Sequence, residues 1–288
     1  MSAFTNGESI LPAGTRLGVV GLTVADLDRS LQFYREGLGL EALDRSEGRA
    51  LLGSATSPLI EIVERPGARP KPPGATGLFH VALLLPTRRD LGRLFHHLLS
   101  LDYPIDGAAD HLVSEALYLT DPDGNGIELY RDRPRTDWRW ENGMVRMASD
   151  PFDARGVLSE AAHGPAWEGI APETRLGHVH LQVGDVAQAQ HFYVDVIGFG
   201  LMATWSEARF VAAGGYHHHL GLNSWRSRNG PPPPSGSAGL RYFTLHVPDA
   251  AARAALAGRL AAAGLPLTEQ GASFVTADPW GNQIVVEA

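Results

Sequence analysis

The chain has 288 residues, 44% of them hydrophobic and 19% charged, with a formal net charge of −8; such a length and composition predict a globular protein of two domains. The acid excess and the absence of a basic run argue against a nucleic-acid surface, and no apolar run is long enough to cross a bilayer. With no cysteine, disulfides, thiolate metal sites and cysteine nucleophiles are excluded.

In chain order, the first stretch, MSAFTNGESILPAGTR, lacks the charged and apolar blocks of a signal peptide, which predicts a cytoplasmic protein. From Leu17, LGVVGLTVADLDRSLQFY reads as an alternating strand, an Asp cap and an amphipathic helix ending near Gly39. Short β runs follow in RALLGSATSPLIEIVE, and a proline- and glycine-rich connector spans Arg65 to Thr76. From Gly77, GLFHVALLLPTRRDLGRLFHHLLS gives a second strand, a turn at proline and a helix, followed by the β runs of EALYLTDPDGNGIELY. A longer connector, 133–174, carries Trp138, Trp140 and Trp167, which are expected to pack against a domain.

The pattern then repeats. LGHVHLQVGDVAQAQHFY from Leu176 matches the stretch from Leu17 in register, with its helix ending near Gly198. The β runs of ARFVAAGGYHHHLGLNSW, a connector at Arg226 to Ala238, a strand and helix from Gly239 and the β runs of SFVTADPWGNQIVVE complete the chain. The sequence therefore divides into 15–132, a connector 133–174, and 175–288, each half holding two units of one strand, one helix and a meander of about three strands.

Strand alternation sorts the first strands by face. Val20, Leu22 and Val24, Val81 and Leu83, Val179 and Leu181, and Phe243 and Leu245 make an apolar face expected under the helices. The opposite face carries Val19, Gly21 and Thr23, then His80, Ala82 and Leu84, then His178, His180 and Gln182, then Tyr242, Thr244 and His246. This polar-bearing face is the expected cleft wall.

Four tandem βαβββ units resemble the vicinal oxygen chelate superfamily, which includes glyoxalase I, bleomycin-resistance proteins and extradiol dioxygenases. The resemblance implies an α+β fold in which four tandem βαβββ units form two domains, with curved mixed sheets around clefts and helices outside. It also implies a metal held by residues of the first and last strands. At the family's first-strand position stand His80 in unit 2 and His178 in unit 3, against Val19 and Tyr242 in units 1 and 4. On the last strands unit 2 offers Glu128 where unit 4 has Val285. Pairing units 2 and 3 assembles His80, His178 and Glu128, a two-histidine, one-carboxylate set suited to non-haem Fe(II), with Mn(II) as an admissible alternative. A swapped arrangement is therefore expected, with units 1 and 4 building a vacant cleft.

The stretch from His111 to Glu128 resembles the extradiol dioxygenase signature at His111, Leu117, Tyr118, Asp121, Pro122, Gly124 and Glu128, with Ala109 departing from it. By the same resemblance His218 is the acid–base residue, with His217 and His219 as alternatives for the one that faces the metal, while His111 and Tyr118 hydrogen-bond the substrate. Isomerases of the glyoxalase type generally add a second glutamate on the strand that here carries histidines and no acid. The resulting expectation is an Fe(II)-dependent extradiol dioxygenase resembling two-domain catechol 2,3-dioxygenases. Its partners are a small aromatic diol and dioxygen, with no nucleic acid or membrane. Homo-oligomerisation is left open. A glyoxalase-like metal-dependent isomerase or lyase and a non-catalytic small-ligand binding protein are the rivals. Of the other histidines, His96 and His97 are expected to be partly exposed, His191 structural and His163 within the connector. His180 is a residue within reach of substrate, and no nucleotide-binding glycine fingerprint or nucleophile elbow is present.

Overall fold

A computed structural model of the chain describes residues 8–161 and 167–288; His163 lies outside them. Unit 1 comprises β1 (Arg16–Val24), α1 (Leu27–Gln32), β2 (Glu41–Ser46), β3 (Arg49–Ser54) and β4 (Ser57–Glu64). Unit 2 comprises β5 (Gly77–Leu84), α2 (Arg88–Ser100), β6 (Gly107–Asp110), β7 (Ser114–Thr120) and β8 (Gly126–Asp132). The connector holds β9 (Trp140–Glu141), β10 (Met144–Val145) and α3 (Ala154–Ala161). Unit 3 follows as β11 (Arg175–Gln182), α4 (Val186–Gln190), β12 (Gly200–Trp205), β13 (Ala208–Ala212) and β14 (Leu220–Asn223). Unit 4 is β15 (Gly239–His246), α5 (Ala250–Ala262), β16 (Thr268–Gln270), β17 (Ser273–Ala277) and β18 (Gln283–Glu287).

The helices start where the sequence supplies caps. Asp26, Thr87, Asp185 and Asp249 each accept a backbone N–H of the first turn, satisfying donors that the helix itself cannot. The helices of units 1 and 3 run on as wider π-type turns to Gly37 and Ile197. Gly198 then reverses the chain at φ 100°, a conformation that suits glycine.

Two curled, mixed eight-stranded sheets result. One runs β16-β17-β18-β15-β1-β4-β3-β2 and the other β12-β13-β14-β11-β5-β8-β7-β6. Units 1 and 4 thus share a sheet, as do units 2 and 3, so each sheet draws one unit from each half of the sequence. At each centre two first strands pair antiparallel, β1 with β15 and β5 with β11, and each is parallel to the last strand of its own unit. The apolar face of all four first strands is buried, with Val20, Leu22, Val81, Leu83, Val179, Leu181 and Phe243 at 0% exposure. This is the burial that the alternation implied.

The DPDGN and DPWGN turns tie the sheets together. Buried Asp121 accepts backbone N–H groups of Asp123 and Asn125 through one oxygen and the Tyr34 hydroxyl, at 2.9 Å, through the other. Asp278 accepts from Trp280, Asn282 and Tyr193 in the same way. Each tyrosine lies in one sheet's unit and its aspartate in the other's, so the turns serve as fasteners between layers.

The connector tryptophans behave unequally. Trp138 is buried and donates to the Arg133 carbonyl, and Trp167 stacks on His97 at 4.6 Å between centroids. Trp140 is 47% exposed, contrary to expectation: it sits on a two-stranded ribbon with no layer above it. His191 is also exposed rather than structural, because its position on the helix surface leaves it only Asp195 as a partner among the described residues.

Candidate metal centre

Sheet register brings the three predicted donors together. On β5, Ala82 lies between His178 of β11 and Glu128 of β8, and His80 lies opposite His180. The small Ala82 side chain leaves the space above it to its neighbours. Nε2 of His80 is 2.8 Å and Nε2 of His178 3.0 Å from the same Glu128 oxygen, and the two nitrogens are 3.3 Å apart. Donors in adjacent positions around an octahedral ion with bonds of about 2.1 Å are spaced by about 3.0 Å. Among the described residues this is the one group of three such side chains that converges.

Charge sets Glu128 apart from the other buried glutamates. Glu115 is matched by Arg88, Arg131 and Arg133, and Glu61 by Arg49 and Arg241. Glu128 is 2% exposed, its ion-pair partners are imidazoles alone, and the Tyr118 hydroxyl lies close to it as well. Burial pushes its carboxyl up, but His178 and His80 more than offset that and hold it well below the usual range. Burial lowers His178 to about 4 against the opposing pull of Glu128, which leaves a neutral imidazole with a lone pair to give. A buried carboxylate and two imidazoles without a guanidinium or ammonium are a donor set that fits a divalent cation.

Around these donors lies a cleft of ≈ 820 Å³, lined also by His111, Tyr118, His180 and His218. The Tyr118 hydroxyl donates to Nε2 of His111 at 2.6 Å, while Nδ1 of His111 donates to the Ala148 carbonyl at 2.6 Å. The connector thereby fixes that histidine's tautomer. His180, 4% exposed, presents an Nε2 with no partner.

Of the three consecutive histidines, His218 lines the cleft. Its ring lies 4.1 Å from that of His178, and its Nδ1 meets Nδ1 of His217 at 2.7 Å. His217 in turn donates from Nε2 to Asp132 at 2.8 Å. A carboxylate only accepts, so Nε2 of His217 carries a proton; with that as the ring's single proton, Nδ1 of His217 accepts from Nδ1 of His218, whose Nε2 is then left bare. His219 turns away and accepts the Ala213 N–H.

The other sheet carries a cancelled copy. Gly21 lies between Tyr242 of β15 and Glu61 of β4 as Ala82 lies between His178 and Glu128. The Tyr242 ring covers Gly21, where an added Cβ would meet it at 2.3 Å, and its hydroxyl donates to Glu61 at 3.1 Å. With Val19 in place of His80, arginines supply the positive charge. Sequence reasoning missed Glu61, although IEIV at Ile60 and IELY at Ile127 align directly. In unit 3 the corresponding position is Gly221, where a Cβ would come within 2.7 Å of the His180 ring. No fourth acid stands there.

A family model described as Glyoxalase/Bleomycin resistance protein/Dioxygenase superfamily matches residues 16–129 and again 175–286. The chain belongs to this superfamily. It is 41% identical to a catechol-2,3-dioxygenase of Bacillus subtilis (strain 168) over 274 residues, spanning 92% of this chain and 94% of the relative. Among solved structures, glyoxalase I from Zea mays shares the superfamily fold at a TM-score of 0.57, with 18% identity and coverage of 95% of this chain and 92% of that one. The cppA protein of Streptococcus pneumoniae TIGR4 superposes at 0.56 with 13% identity, covering 97% and 99%.

Proposed function

We propose that the protein is an extradiol ring-cleaving dioxygenase that holds Fe(II) through His80, His178 and Glu128 and acts on a catechol-type aromatic diol with dioxygen. The observation that carries this reading is the Glu128 carboxylate, buried against two imidazole nitrogens and no other cation, in a chain homologous over nearly its whole length to a catechol-2,3-dioxygenase. Mn(II) suits the same donors. The ion would supply positive charge to the diol oxygens and a route for electrons between diol and dioxygen.

The protein's own groups have separate tasks. His218, with a bare Nε2 beside His178, accepts a proton from the diol and returns it later. Its direct partner His217 and then Asp132 hold it in the tautomer able to do so. The Tyr118–His111 pair lies across the cleft and orients the substrate by hydrogen bonding, and the unpartnered Nε2 of His180 is a further polar contact for it. Gly221, standing where isomerases of the superfamily add a glutamate, supports three protein donors over four.

The test is oxygen uptake on catechol by protein prepared without air and reconstituted with Fe(II), alongside Glu128→Ala. Uptake with a yellow ring-opened product, lost in the variant, is expected. Stoichiometric metal without uptake would instead favour a glyoxalase-like isomerase, and failure to bind metal would favour a ligand-binding protein.

A further inference from the structure

The cleft is larger than one benzenediol ring needs: ≈ 820 Å³ lies within the range that takes a drug-sized ligand. Four residues along β11 from His178, or about 13 Å at strand rise, stands Gln182. Its side-chain oxygen accepts a hydrogen bond from Lys71, whose ammonium also donates to the Ala75 carbonyl at 3.1 Å. Both acceptors are neutral. Lys71 is half-buried and comes from the proline-rich connector that covers this end of the cleft, with Arg226 of the other connector lining it too.

Among the described residues neither cation pairs with a carboxylate. Asp106, the other acid besides Glu128 that lines the cleft, precedes β6, three strands away from β5, and accepts from Thr120. Burial lowers the Lys71 pKa with nothing to oppose it, so an anion placed there would relieve a desolvation cost. Between the metal donors and Lys71 the walls are aromatic: Phe79 and Trp225 meet edge to face at 5.6 Å, and His180 packs on both.

We propose that Lys71, Gln182 and Arg226 form a distal subsite for a carboxylate, so that the preferred substrate is an aromatic diol bearing an apolar substituent with an anionic end. This rests on the ring-cleavage reading for the orientation of the diol toward His80, His178 and Glu128.

The probes are catechols carrying a five-carbon chain that ends in a carboxylate or in its methyl ester, titrated calorimetrically into iron-loaded protein without oxygen. The carboxylate is expected to bind about tenfold or more tightly than the ester, as suits one charge-assisted hydrogen bond. Lys71→Met removes that preference and Lys71→Glu reverses it. Equal affinities in the wild type overturn the subsite, as does a preference that survives in both variants or absence of binding by either probe. Oxygen uptake on unsubstituted catechol is read separately. Uptake without a carboxylate preference sinks the subsite alone, and a preference without uptake sinks ring cleavage alone.

Discussion

Replacing Asp132 by leucine tests how His218 is prepared. The aspartate accepts from Nε2 of His217 at 2.8 Å, and that bond leaves Nδ1 of His217 as the acceptor for His218 at 2.7 Å. Without it, His217 can carry its proton on Nδ1 and turn a donor toward His218, which then presents N–H rather than a lone pair to the cleft. A hydrogen bond to a charged partner contributes about 1.5–3 kcal/mol, so the working tautomer loses roughly ten- to a hundredfold of its preference. The kcat for oxygen uptake at saturating diol should fall by that factor. Asparagine keeps an acceptor without the charge and should lie between the two. Iron per chain is measured on the same samples, because Asp132 touches none of the three donors. An unchanged kcat in Asp132→Leu, or a fall that tracks lost iron, would refute the reasoning.

Other outcomes follow from the same geometry. Glu128→Gln should weaken metal binding at least tenfold, read by metal content after dialysis, since even residues outside the donor set change affinity by about 10–100-fold. Glu61→Gln should leave the content at one ion per chain, because arginines already occupy its surroundings. Gly177→Ala would place a Cβ 1.7 Å from the Tyr130 hydroxyl and should cost about 1–3 kcal/mol in denaturant unfolding. Burial holds His219 down at about 3, so the unfolded chain takes up its proton first as acid is added. Stability is full above about pH 6.5 and declines as pH falls toward 3, by roughly 4–5 kcal/mol from this group. Urea midpoints across that range should fall less steeply in His219→Phe.

The repeated strand and helix pattern made the four units legible, since strand alternation and Asp caps are local properties. The convergence of His80, His178 and Glu128 was legible too, because the period of two puts His80 and His178 on one face and the IELY strand puts Glu128 on the same side. Less could be read where contacts depend on register between distant strands. Asp132 is an ordinary strand-end acid in sequence, and only the approach of the loop before β14 makes it His217's partner. Lys71 likewise sits in a connector whose path no periodicity describes. Trp140 shows the converse, an aromatic residue that local chemistry assigns to a core but for which the fold supplies no facing layer.

The exchange of units between sheets also bears on how the chain matures during synthesis. A ribosome that has released residues up to Asp132 has delivered His80 and Glu128, two of the three proposed donors, yet β1 and β5 still lack their central neighbours. Those open edges are templates for pairing with other chains until β11 and then β15 emerge. Closing them requires contacts between strands far apart in sequence, which form slowly. The cleft and the protected edge of its sheet are completed by the same strand, β11, so the arrival of His178 beside His80 and Glu128 reports that β5 has found its partner.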